Sequence, residues 1–273
     1  MNQYNLSGLR IDPAVFQHPA DKAITEKIRK SDAFKKVLSF ISEHGLEHML
    51  YSLYLSSYAH MTPKNAPELT RMCEEAGEMF GLERTPELFL TRDYNMYGKL
   101  QCINKPVILL STEMVNNLSE RGTWAAIASC ACGARSGYSE IDMISWTVNT
   151  VGALLPPRVV SAVNELVRQW KKTVQLTFDR AALLATGDLN TAMQMILGGE
   201  IPSQALSSID FRDPSCGYMQ QCREFAANQG MVMNALRAME AIGGDGALLA
   251  TRYIELFNFY QNEFEDLMEE YAG

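Results

Sequence analysis

Three short β-rich runs, Glu87 to Leu90, Lys99 to Ile103 and Val107 to Leu110, fall within a single block of this chain. They are separated by the turn formers Asn95, Gly98, Asn104 and Pro106. On both sides of the block, apolar residues recur at helical spacing instead. Strands gathered in one place among helices argue against an alternating strand–helix order. They predict an α+β chain, mainly helical, with one small β-sheet.

The helical patterns are specific enough to name. Phe34, Val37, Leu38, Ile41, His48, Met49 and Leu53 share one spacing, and Leu69, Met72, Cys73, Ala76, Met79 and Phe80 share another, started by Pro67 and stopped by Gly81. Helices are expected from about Thr112 and from about Glu120 to Ser136. The second of these is rich in small residues, including Ala125, Ala126, Ala128, Ser129, Ala131, Gly133 and Ala134, so another element can approach its backbone closely. After Pro156-Pro157, a long stripe of Val159, Val163, Leu166, Trp170, Val174, Phe178 and Ala181 ends near Gly187. A loop-rich stretch from Gly198 to about Pro214 precedes a C-terminal helix with Leu249, Tyr253, Leu256, Tyr260, Phe264 and Leu267 on one face. No repeat and no linker composition divides the chain, so residues 1–273 read as one domain.

Charge narrows the partners. With 24 Lys plus Arg against 32 Asp plus Glu, the formal charge is -8, which disfavours phosphate backbones and anionic lipid surfaces. Nucleic acid is not an expected partner. One long uncharged stretch, Met143 to Pro157, is interrupted by Ser145, Thr147, Asn149 and Thr150, whereas a membrane span needs roughly 20 predominantly apolar residues. The amino terminus lacks the basic-then-apolar order of a signal peptide. A soluble, cytoplasmic protein is expected, with its six irregularly spaced cysteines reduced. Cys130 and Cys132, the one close pair, would project about 200° apart on a helix and could not serve one metal together.

One string has metal-ligand spacing. His44-Gly45-Leu46-Glu47-His48 matches H-x-x-E-H, in which two histidines one helical turn apart hold zinc and the glutamate activates water. His48 falls seven residues after Ile41, on the apolar face, but Gly45 weakens a helix at that point and a third ligand is not evident. The other reading is a half-buried helix with two polar tips. No G-x-S-x-G elbow, phosphate-binding loop or G-x-G-x-x-G occurs, which excludes the usual serine hydrolase, nucleotide hydrolase and dinucleotide readings.

The order of short motifs carries a resemblance. Asp12-Pro13 and His18-Pro19-Ala20-Asp21 stand near the start, and Pro86-Glu87-Leu88 opens the sheet. Asn95-Met96-Tyr97-Gly98 and Pro106-Val107-Ile108-Leu109-Leu110-Ser111 follow, and Asp179-Arg180-Ala181-Ala182-Leu183-Leu184-Ala185-Thr186-Gly187-Asp188 lies on the long helix. From about residue 10 to 268 the chain resembles the HtpX-like zinc metallopeptidases, relatives of the CAAX prenyl endopeptidases, in a soluble form. The resemblance implies a zincin-like scaffold. Arg135-Ser136-Gly137-Tyr138 fits the tail that follows the family's H-E-x-x-H helix, and this sets the register. The first zinc-binding histidine then falls on Ser129, the general base on Cys130, the second histidine on Gly133 and the glutamate ligand on Gln175. A later histidine of the family falls on Gly246.

Such a site needs three protein ligands on Zn²⁺ and a carboxylate to take the proton of the bound water. Ser129 and Gln175 are weak donors, Gly133 has none to give, and Cys130 stands in the base position. No register shift repairs this, because no histidine follows His60. The resemblance therefore implies a scaffold without catalysis and without a cofactor, a pseudopeptidase whose role is binding or regulation. Asp179, which in the family orients a zinc-bound histidine, is expected to pair with Arg180 or Arg135. Ser129, Cys130, Gly133 and Gln175 are expected to line a vacant cleft floored by an edge strand, Leu100, Gln101, Cys102 and Ile103, that receives a peptide or protein ligand by strand addition. The alternative is an active zinc endopeptidase using His44 and His48 with Glu47 as base. A third reading makes the stripes 159–181 and 249–267 oligomer interfaces.

Overall fold

The computed structural model describes residues 8–92, 99–198, 208–227 and 248–271. Four helices come first: α1 (Pro13–Phe16), α2 (Pro19–Lys30), α3 (Asp32–Glu43) and α4 (Leu46–Ser57). Asp12 caps α1 by accepting from the Ala14 amide at 2.9 Å, and prolines open both α1 and α2, where no amide is needed. Then come strand β1 (Ala59–Met61), helix α5 (Pro67–Met79) and strands β2 (Glu87–Thr91), β3 (Lys99–Gln101) and β4 (Val107–Ser111). The remaining helices are α6 (Thr112–Asn117), α7 (Glu120–Arg135), α8 (Tyr138–Val151), α9 (Pro157–Thr186), α10 (Leu189–Gly198), α11 (Gly217–Ala227), α12 (Leu249–Asn262) and α13 (Phe264–Tyr271). The chain is thus mainly helical with one small sheet, as α+β implies.

The sheet has the order β1-β2-β4-β3. β2 and β4 run parallel, while β1 and β3 lie antiparallel at the two edges. All five residues of β4 are buried, as a strand covered on both faces requires, and this is why Val107 to Leu110 reads as an unbroken apolar run. β1 was not expected: it is three residues long, and Ala59-His60-Met61 has no β-rich run around it. The strand expected over Lys99 to Ile103 stops at Gln101, because Cys102 adopts a left-handed backbone with φ of 64°.

α7 is the central helix. Eleven of its residues, from Gly122 to Gly133, are buried, and it packs between α5 on one side and α9 and α10 on the other. A helix apolar all round is a helix enclosed all round. The N-terminal arm closes over α9 through a polar cluster. The buried Asp21 carboxylate accepts from the Thr177 hydroxyl at 2.7 Å, from Thr25 at 3.2 Å, from the Gln17 amide at 3.1 Å and from the Tyr138 hydroxyl.

Two expected helical faces differ from those observed. Gly45 adopts φ of 61° and separates α3 from α4, so the stripe from Phe34 does not continue through His48, Met49 and Leu53, all of which are exposed. α4 instead buries Leu46, Leu50 and Tyr54. The C-terminal stripe breaks at Glu263, and α12 and α13 bury Tyr253, Leu256, Phe257, Phe259, Phe264 and Met268. Val163, Trp170 and Ala181 of the long stripe are likewise core residues. The apolar stripes proposed as oligomer interfaces therefore face the interior. Asn95 and Gly98, and residues 199–207 of the stretch expected to be rich in loops, lie outside the described residues.

Candidate functional site

Ser129 and Gly133 stand one helical turn apart on the face of α7 that meets α9, the relation two zinc-binding histidines would have. The space between the helices is filled. The Ser129 hydroxyl lies 2.9 Å from the Ala125 carbonyl and 2.9 Å from the Phe178 carbonyl, so its one proton serves the helix backbones. A Cβ built on Gly133 would meet two ring carbons of Phe178 at 2.9 and 3.0 Å and a methyl of Leu100 at 3.4 Å. Any side chain at the position that would carry the second histidine would have to displace the Phe178 ring. Gly133 is present because Phe178 from α9 and Leu100 from β3 converge on its α-carbon.

Cys130 is fully enclosed, and burial pushes its thiol up to about 12, with the Cys73 thiol on α5 adding to the shift. It is neither a thiolate ligand nor a base at neutral pH. Gln175 is half-buried on α9. Gly246 lies outside the described residues. A hydroxyl bonded to backbone, a protonated thiol, a bare α-carbon and a neutral amide do not make a zinc site. Among the described residues, no group of three or more His, Cys, Asp or Glu is arranged to hold a metal.

Asp179 is 1% exposed and is paired, but with neither arginine expected from the sequence. Arg252 of α12 donates to it in fork geometry at 2.9 and 2.6 Å. Burial raises the Asp179 carboxyl above the ordinary range, and Arg252 pulls it part of the way back. Arg180 instead donates to the Phe16 carbonyl at 3.1 Å, lies 3.6 Å from Glu263 and stacks 4.3 Å over the Phe259 ring. Arg135 lies 3.5 Å from Asp12. Arg252 and Phe178 are the residues that sequence reasoning missed. The bare Gly133 was a signal for a bulky neighbour, whereas nothing local marks Arg252.

β3 is an edge strand, yet the side chains of Leu100, Gln101 and Cys102 are buried, and Ile103 is half-buried in the turn beyond it. Both amide atoms of Gln101 lack a hydrogen-bond partner.

The H-x-x-E-H string does not form a helical ligand pair. His44 caps the end of α3, stacks on Phe40 with ring centroids 4.1 Å apart and has Nδ1 3.0 Å from the Phe40 carbonyl. His48 is on α4, beyond the left-handed Gly45. Glu47 accepts from the Asn104 amide and from the Asn104 Nδ2, each at 2.7 Å, so its carboxylate braces the turn after β3.

Comparison with known proteins gives one distant relation. The chain is 23% identical over 207 residues to the plastoglobule-localized metallopeptidase 48 of Arabidopsis thaliana, a match covering 71% of this chain. It spans 58% of that relative's length. No family profile and no solved structure matches the chain. The similarity supports a metallopeptidase-like fold.

Proposed function

We propose that this chain is a non-catalytic member of the HtpX-like metallopeptidase family: a zincin-like scaffold that binds or regulates instead of cleaving. The observation that carries this reading is the contact of Gly133 with the Phe178 ring, which fills the place a zinc ligand would need. The chemistry of the donors agrees, since Ser129 is bonded to backbone, Cys130 is a protonated thiol and Gln175 is uncharged. Loss of all these positions together is consistent with a retired site, because a charged remnant without metal would be costly to bury. No helix among the described residues is long and apolar enough to cross a membrane. All six cysteines are free thiols, which suits a reducing compartment such as the cytoplasm. The partner in this reading is a peptide or protein.

The test is metal content together with proteolysis. Tag-free protein, purified under reducing conditions and dialysed against limiting zinc, is expected to hold far less than one zinc per chain by elemental mass spectrometry, and to leave casein intact. Near-stoichiometric zinc together with chelator-sensitive casein cleavage that Glu47→Gln abolishes would overturn the proposal and restore His44, His48 and Glu47 as the centre.

A further inference from the structure

A cavity of about 540 Å³ opens where the end of α3, the start of α4, the turn after β3 and the first turn of α8 meet. Its size lies within the range of about 300–1,000 Å³ usual for ligand sites. No residue of α7 or α9 lines it, so it is separate from the filled helix pair. Leu38 and Ile41 from α3, the Tyr51 ring and Ile103 give it apolar walls.

Its charged groups differ in how they are employed. Lys105 lies 2.6 Å from Glu87 and donates to the Tyr51 hydroxyl at 3.1 Å, so its charge is already answered. Glu47 is held by Asn104. Among the described residues, Glu140, half-buried in the first turn of α8, has no side-chain hydrogen bond or ion pair. His48 also lines the cavity, from an exposed position on α4, so the carboxylate left unanswered is Glu140, in a chain whose formal charge is -8. A cavity with apolar walls and one unanswered carboxylate complements a cation on an apolar body. The Ser42 hydroxyl and the remaining acceptor of Asn104 are available to main-chain amides.

We infer that this cleft binds a short peptide segment in which a lysine sits beside aliphatic residues, the ammonium facing Glu140 and the aliphatic side chains lying on Leu38, Ile41 and Ile103. The inference goes beyond the proposed function and does not depend on the state of the former zinc positions.

Fluorescence anisotropy with a dye-labelled Leu-Leu-Lys-Leu amide tests it on the full chain. Saturable binding is expected, about tenfold weaker in Glu140→Gln, as loss of a charge-assisted contact implies. Binding is expected to be lost in Ser42→Trp, which fills the cleft from an exposed position. Glu165→Gln, on the exposed face of α9, is expected to bind as the parent does, and circular dichroism checks that each variant is folded. The same peptide with Glu in place of Lys is expected not to bind. Equal binding of the Lys and Glu peptides, equal affinity in Glu140→Gln, or no saturable binding at millimolar protein would overturn the assignment. n-Hexylamine carries the ammonium and the aliphatic body without a peptide backbone. If it displaced the probe as efficiently as unlabelled peptide, the site would belong to free alkylamines and the peptide assignment would fall.

Discussion

Arg252→Met breaks a long-range ion pair whose carboxylate is buried. It removes the cation from a carboxylate that is 1% exposed, together with hydrogen bonds of 2.9 and 2.6 Å. Each charge-assisted bond is worth about 1.5–3 kcal/mol, and stripping one partner from a buried pair costs about 3–5 kcal/mol. For a chain of this size that corresponds to a fall in Tm on the order of 10 °C. The pH dependence carries a definite sign. Burial already raises the Asp179 carboxyl, and losing Arg252 raises it further. A carboxyl raised in the folded state stabilises the fold below its unfolded pKa of about 3.9, and that contribution is lost as pH rises through the folded value. The gap between Arg252→Met and the parent should therefore be small near pH 4 and grow toward pH 7 in urea or thermal unfolding. Asp179→Asn in the Arg252→Met background should recover much of the loss. Asp179→Asn alone should cost less than Arg252→Met, because Arg252 is 15% exposed and can reach water. A gap that does not vary with pH, or a double variant no more stable than Arg252→Met, would refute the reasoning.

Gln101→Met should raise stability by about 1 kcal/mol, since it removes two buried polar atoms that have no partner; an unchanged or lower Tm would show that the amide is satisfied. Gly133→Leu should cost roughly 1–3 kcal/mol through overpacking against Phe178, and adding Phe178→Ala should return part of it; a double variant as unstable as the single one would place the clash elsewhere. With a thiol reagent at pH 8, the half-buried Cys216 should be labelled first. Cys73, Cys102 and Cys130, whose thiols burial pushes up to about 12, should react only on unfolding, as peptide mapping of the labelled protein would show.

What was legible in the sequence was local. α9 was bounded by Pro157 and Gly187, α5 by Pro67 and Gly81, and β4 by its unbroken apolar run, because each signal acts within a few residues of its effect. Gly45 was visible as a weakness, and its left-handed backbone makes it a helix boundary that takes His44 and His48 off a common face. The break at Glu263 has no glycine or proline to announce it. At the candidate site, the missing histidines were plain from composition, whereas the contents of the space were not. Phe178 reaches Gly133 from 45 positions away and Arg252 reaches Asp179 from 73, and no spacing rule links such pairs.

The polar cluster around Asp21 also sets a timetable for synthesis. Asp21 finds its partner Thr177 only 156 residues later, and His18, whose ring lies 3.3 Å from Glu255, waits for 237. At translation rates of about 5–20 residues per second, the face of α2 that packs on α9 waits roughly 8–30 s for that helix to be synthesised. The nascent chain must therefore hold an unclosed arm while the sheet and α7 are still assembling.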